Sequence, residues 1–269
     1  MELRDRHIVL TGAGSGIGRA LAARFVAEEP RGLVLCDLDA GAVQEVAEAL
    51  GAVGVAADVG RPGEVERLIA AAEEAHGPID VFFSNAGVGG PPGLIDVSDE
   101  EWARTWDVNV MPHVRAARAL LPGMALRGEG YLVSTASAAG LLTQVSAAPY
   151  SVTKHAAVAL AEWIAINYGD AGVRVSCLCP QAVRTPMLEM ALAEDPVGAV
   201  PLLAGGVLEP EQVAEAVVAG MREERFLILP HEVVGEYLAL KGTQPERWLA
   251  GMRKLLRGAR AKVEGQQGA

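Results

Sequence analysis

The sequence predicts an α/β chain with a doubly wound architecture: a central parallel sheet of about seven strands, flanked by helices on both faces. Seven short apolar runs recur along the chain, and helical stretches separate most of them. Composition agrees, since 51% of the 269 residues are hydrophobic but only 4% are aromatic. A core of small aliphatic side chains suits a parallel sheet buried on both faces.

The strand candidates come in a regular order. "HIVLT" (7–11) is followed by the helical "GRALAARFVAEE", and "GLVLC" (32–36) by "AGAVQEVAEAL". "VGVAA" (53–57) leads into "PGEVERLIAAAEEAHG", and "DVFFS" (80–84), "GYLVST" (130–135), "VRVSCL" (173–178) and "RFLIL" (225–229) complete the set. Strand and helix in alternation give βαβ units, whose right-handed crossovers build a parallel sheet. No internal repeat or interior linker appears, so residues 1–262 read as a single domain. "QPERWLAGMRKLLRGARAK" reads as an amphipathic helix docked on this core or on a second subunit. The polar, Gly-rich end, 263–269, is expected to be a flexible tail.

The formal net charge of −11 opposes binding to phosphate backbones, so no nucleic-acid partner is expected. No apolar run reaches about 18 residues, and the N-terminus lacks one of signal-peptide length. The expectation is a cytoplasmic protein without a membrane partner. Cys36, Cys177 and Cys179 are odd in number and sit in apolar runs, which argues against a disulfide framework. Period-2 spacing puts Cys177 and Cys179 on one face of a strand, as core residues. The five histidines do not cluster at ligand spacing, so no metal site is expected.

"LTGAGSGIGRA" joins the first strand to the first helix. Glycines in that position let the backbone turn sharply and approach a pyrophosphate seated at the helix N-terminus. The spacing is Gly12-x-x-x-Gly16-x-Gly18, and Ile17 falls where the last glycine of G-x-G-x-x-G would stand. Asp37, ending the second strand, is placed to accept hydrogen bonds from an adenosine ribose. A carboxylate there repels the extra phosphate of NADP; no Arg or Lys stands beside it, and Ser15 occupies a loop position where a base could grip that phosphate. NAD is therefore favoured over NADP. The competing role for Asp37, capping the next helix, suits Asp39 better.

Tyr150 and Lys154 stand four residues apart, so on a helix they share a face. An ammonium beside a phenol favours the phenolate and lowers its pKa from about 10. Ser137 offers a hydroxyl that could stabilise charge developing on a substrate oxygen. Spacing alone leaves the pair open, because Tyr-x-x-x-Lys also occurs on ordinary helix surfaces. Taken together, however, "TGAGSGIG", "DV" (58–59), "NAG" (85–87), "VN" (108–109), Ser137 and Tyr150-x-x-x-Lys154 resemble the short-chain dehydrogenase/reductase family over nearly the whole chain.

The resemblance implies an NAD(P)-binding Rossmann fold and a role for each matching residue. Tyr150 would be the general acid/base, Ser137 would orient the substrate oxygen, Lys154 would bind the nicotinamide ribose and depress the Tyr150 pKa, and Asn109 would hold a relay water. The dinucleotide would lie along Gly12, Ser15, Gly16, Ile17 and Gly18, then Asp37 and Leu38, then Asp58 and Val59 at the adenine. Asn85, Ala86 and Gly87 would line the end of the fourth strand. Tyr150, Lys154, Pro180, Val183 and Thr185 would complete the nicotinamide side. "CPQAVRTPM" matches the family segment P-G-x-x-x-T, with Gln181 in place of glycine. That glutamine either projects toward the substrate or packs outward, and it puts the local backbone path in question. The family commonly forms dimers and tetramers through helices at "WDVNVMPHVRAARALL" and "YSVTKHAAVALAEWIAINYG", so a homo-oligomer is implied and a tetramer is expected.

Substrate loops are expected at 88–98, 138–149 and 186–210, beyond the strand ends. None contains Lys or Arg, and the next base after Arg184 is Arg222. A phosphate, CoA or carboxylate would call for one. The expected partner is a neutral, apolar secondary alcohol or ketone, oxidised with NAD. Two alternatives stand beside this: an NADPH-dependent ketoreductase on a carrier-bound or polyketide-like substrate, and a non-catalytic dinucleotide-sensing regulator.

Overall fold

Val9 faces one side of the sheet with Val34, Phe82 and Leu132, while Ile8 and Leu10 face the other with Leu33, Leu35, Val81 and Phe83. Both sets are buried, so the strands read as continuous apolar runs rather than alternating ones. The computed structural model describes residues 1–203 and 205–267. Its elements are β1 (His7–Thr11), α1 (Gly16–Val26), β2 (Gly32–Asp37), α2 (Ala40–Leu50), β3 (Val53–Ala56), α3 (Glu64–His76) and β4 (Val81–Ser84). There follow α4 (Asp99–Asn109), α5 (Met111–Arg127), β5 (Gly130–Thr135), α6 (Ala139–Leu142), α7 (Ala148–Tyr168) and β6 (Val173–Leu178). The chain ends with α8 (Pro186–Glu194), α9 (Pro196–Leu203), α10 (Pro210–Arg222), β7 (Leu227–Ile228), α11 (Val233–Thr243) and α12 (Pro245–Gln267).

All strands are parallel, in the order β3-β2-β1-β4-β5-β6-β7. This is the expected doubly wound Rossmann sheet. Apolar residues of α1, α2 and α10 cover one face, and those of α3, α5 and α7 the other. After β3 the chain crosses to the far side of β1 to form β4. A cleft therefore opens beyond the carboxyl ends of β1 and β4, where ligands bind in such sheets.

Two elements differ from the sequence reading. β7 spans two residues, not the five of "RFLIL", and Pro230 stops it soon after it pairs with β6 at Cys177 and Leu178. Residues 263–267, read as a flexible tail, continue α12. Val263 lies on the helical face of Met252, Leu256 and Ala259 and is partly buried. Gly268 and Ala269 lie outside the described residues. No described helix is long and apolar enough to cross a membrane. Cys177 and Cys179 point into one core cluster, with their sulfurs 3.8 Å apart.

Candidate active site

The glycine loop is shaped by contacts that exclude side chains. Gly12 turns with φ +68°, and a Cβ there would stand 2.9 Å from Ala86 Cα. A Cβ on Gly18 would overlap the Gly12 carbonyl, so the first turn of α1 packs directly on the loop. Ser15 takes the N-cap position in an extended conformation but makes no side-chain cap bond, and the first turn of α1 carries no acid. Helix N–H groups and positive dipole are thereby left for an anion, the requirement of a pyrophosphate. The residues present fit a dinucleotide.

Strand ends lock the loop in place. Thr11 Oγ1 accepts from Asn85 N and Ala86 N at 2.9 and 3.1 Å. Asn85 Nδ2 donates to Thr11 O and Gly12 O at 3.1 and 3.2 Å, while Thr135 Oγ1 donates to Asn85 Oδ1 at 3.0 Å. Asn85 thus belongs to the expected wall, with its side chain engaged in joining β1, β4 and β5. Asp37 reaches the loop as well: Gly14 N donates to its Oδ2 at 2.8 Å. Asp39, not Asp37, caps α2, accepting from Gly41 N and Ala42 N. Leu38 beside them is 70% exposed. At the next strand end, Gly60 N donates to Asp58 Oδ1 at 3.1 Å, and Val59 is buried.

The four residues expected to act converge at the other side of the cleft. Lys154, 3% exposed, donates from Nζ to Thr135 O at 3.0 Å and lies 5.7 Å from the Tyr150 ring centre. Ser137 is buried after β5, where its Oγ donates to Pro180 O at 3.4 Å and accepts from Ala139 N at 3.1 Å. Asn109, fully buried at the end of α4, accepts from Val88 N at 2.8 Å and donates to Val88 O and Thr153 Oγ1 at 2.9 and 3.1 Å. Gly87 lies between Asn109 and Lys154; a Cβ there would be 3.2 Å from Asn109 Oδ1 and from Lys154 Nζ.

Electrostatics differ from the spacing argument. Burial raises the Tyr150 pKa, and the nearby Ser137 hydroxyl only partly opposes it. Burial also lowers Lys154, to about 8. No carboxylate within 4 Å balances the ammonium among the described residues, and its hydrogen bond goes to a carbonyl. A weakened cation set back from the phenol does not overcome desolvation.

The segment 180–185 closes the site. Pro180 O accepts from Ala138 N at 2.8 Å and Ser137 Oγ at 3.4 Å. Val183 is buried and bridges to Leu208, while Thr185 caps α8 through Oγ1, which accepts from Leu188 N. Thr185 also lies over the loop, since a Cβ on Gly16 would stand 2.9 Å from its Cγ2. Gln181 takes no left-handed conformation, so glutamine costs the backbone nothing there. Its side chain spans to the carbonyls of Pro201 and Leu202.

Sequence reasoning missed Thr11, Thr135 and Thr153, whose hydroxyls or carbonyls hold the named residues. It also missed Arg115, buried on α5, which donates from Nη1 to Val59 O and Gly60 O at 3.0 Å each. The only available signal was a charge in the apolar stretch "VMPHVRAARALL".

The family model for short chain dehydrogenases matches residues 6–195. The chain belongs to the short-chain dehydrogenase/reductase family. This dehydrogenase is an oxidoreductase that uses a nicotinamide dinucleotide, so the non-catalytic alternative is set aside. It is 39% identical over 238 residues to 1-deoxy-11-beta-hydroxypentalenate dehydrogenase of Streptomyces exfoliatus, covering 85% of this chain and 84% of the relative. It is 30% identical over 262 residues to 17-beta-hydroxysteroid dehydrogenase 13 of Rattus norvegicus, covering 94% and 84%. Among solved structures, a short-chain dehydrogenase/reductase from Burkholderia phymatum in complex with NAD superposes with a TM-score of 0.82 at 32% identity, over 91% of this chain and 96% of that one.

His113, four residues beyond Asn109, has both ring nitrogens buried without a partner among the described residues, and burial pushes its pKa down to about 3. The unfolded chain takes up this proton below about pH 6.5. Stability from the neutral ring is therefore present above that pH and is lost as pH falls toward 3. Denaturant melts should show the wild type losing about 2 kcal/mol more than His113→Leu between pH 6.5 and 4.5. Parallel losses would assign the acid sensitivity to other groups.

Proposed function

We propose that this dehydrogenase oxidises a neutral, apolar secondary alcohol with NAD, using Tyr150 as general base. The observation that carries this reading is the convergence of Ser137, Tyr150 and Lys154 beside Asn109 at the mouth of the glycine loop. Ser137 positions the substrate hydroxyl, and Tyr150 takes its proton. Lys154 holds the ribose and supplies positive charge near the phenol. Asn109, turned by Val88 and Thr153, passes the proton onward through a water. Bound NAD supplies the acceptor for the hydride leaving the carbinol carbon.

Burial keeps Tyr150 protonated at neutral pH in the free protein, so alcohol oxidation should accelerate toward alkaline pH. Tyr150→Phe should retain NADH binding by fluorescence and lose about 10²–10⁴-fold in kcat. Near-full turnover by the variant would remove Tyr150 from the chemistry.

NAD is the proposed cofactor because the Asp37 carboxylate ends β2 and already grips the loop at Gly14. A ribose phosphate would meet that charge with no described base paired to it. Asp37→Ser should shift the NAD/NADP ratio of kcat/KM toward NADP by about tenfold or more. An unchanged ratio would place the ribose elsewhere.

A neutral substrate follows from the bases near the substrate loops. Arg184 pairs with Glu209 at 2.7 Å. Folding also brings Lys241 of α11 against these loops, but its ammonium donates to Leu141 O at 2.5 Å and lies 3.4 Å from His155 Nε2. The curated relatives are named for hydroxy compounds, in keeping with an alcohol.

A second copy is proposed to cover α5 and α7. Between them runs an apolar groove of about 390 Å³ lined by Val114, Leu121, Leu160, Trp163 and Ile164. Trp163 is 53% exposed and Ile166 74%. Such a contiguous face marks an interface. Sedimentation velocity should give a tetramer that Trp163→Glu dissociates, and a wild-type monomer at micromolar concentration would exclude this.

A further inference from the structure

Gln181 is the one position where "CPQAVRTPM" departs from the family segment, and its side chain makes contacts that glycine cannot. We propose that Gln181 is a positioning residue that latches the lid formed by α8 and α9 over the substrate. Its amide Nε2 donates to Leu202 O at 3.3 Å and Pro201 O at 3.4 Å. Both carbonyls lie in the last turn of α9, the end of a helix whose carbonyls lack i+4 partners within it. Leu203 O, the next in line, accepts from Gly206 N at 3.1 Å. The glutamine thus completes the C-terminal end of the helix, where the dipole favours a donor.

The amide orientation follows from its neighbours. A flipped amide would direct Oε1 at two carbonyl oxygens, which only repel it. With Nε2 facing the carbonyls, Oε1 is buried directly against Gly205, without a protein partner among the described residues. A Cβ on Gly205 would overlap that oxygen, so the latch requires the glycine for space. At the other end, Gln181 N donates to His231 Nδ1 at 3.2 Å, which fixes the root of the side chain. Pro180, one residue back, carries the carbonyl that faces Ser137. One short segment therefore joins the end of the lid to the wall that holds the substrate hydroxyl. This rests on the reading of 186–210 as the segment over the substrate. An ordered lid before substrate arrives lowers the cost of binding and limits which shapes the pocket accepts.

Hydrogen exchange on the full-length protein, free and with NADH, tests the latch. The variants are Gln181→Gly, Gln181→Glu, which keeps the shape but loses the donor, and Gly205→Ala, which displaces the amide. All three should speed exchange in peptides covering 197–208 by about 3–10-fold, the loss of one ordinary hydrogen bond. Exchange in β1, β4 and β5 and the affinity for NADH should stay unchanged, and KM for the alcohol should rise more than kcat falls. Wild-type exchange in Gln181→Glu would show that bulk, not the amide donor, holds the lid, and would overturn the proposal, as would unchanged exchange in all three. Absence of alcohol turnover in every form would refute the functional reading, while the exchange of 197–208 would still decide the latch.

Discussion

The close approach of Gly18 to the Gly12 carbonyl is the constraint from which the rest of the site follows. No atom beyond hydrogen fits between them, so α1 begins directly on the end of β1. The Asn85 amide grips the same carbonyl from β4, and Thr135 grips Asn85 from β5. Three strand ends are thereby held in one plane at the switch point of the sheet. The unpaired helix N-terminus faces the cleft on one side, and the carbonyl of Thr135 receives Lys154 on the other.

Burial governs the chemistry of the opposite wall. Tyr150 and Lys154 both shift toward their neutral forms, the phenol upward and the ammonium to about 8. Each shift has desolvation as its largest cause, which outweighs the partner interactions at the distances present. The free site is in this way a buried pocket in which the ammonium is weakened but still charged at neutral pH, and charge introduced there is felt strongly. Asn109 and His113 lie in the same buried layer, one hydrogen-bonded to Val88 and Thr153 and the other with both nitrogens unpaired among the described residues.

Sequence pattern made much of this visible. The seven strands, their order of appearance, and the glycine turn between strand and helix all follow from periodicity and local backbone sterics, which act over a few residues. Tyr150 and Lys154 on one helical face are equally local. The shortened β7 and the helical extension of α12 were not visible, because strand length is set by pairing with a distant segment, here β6, and the polar end of the chain gives no periodic signal for a helix. Thr135 and Thr153, which hold Asn85 and Asn109, carried no signal, since a hydroxyl in a strand or helix looks the same whether or not it has a partner.

By itself the sequence determined the fold class, the nucleotide loop and the shared helical face of Tyr150 and Lys154, because short-range geometry and residue spacing dictate them. Only the tertiary structure decided the direction of the Tyr150 shift, the engagement of Lys241 and the destination of Gln181. Those depend on desolvation and on contacts between segments up to 100 residues apart, such as Lys241 with Leu141. Residue spacing along a chain contains neither quantity.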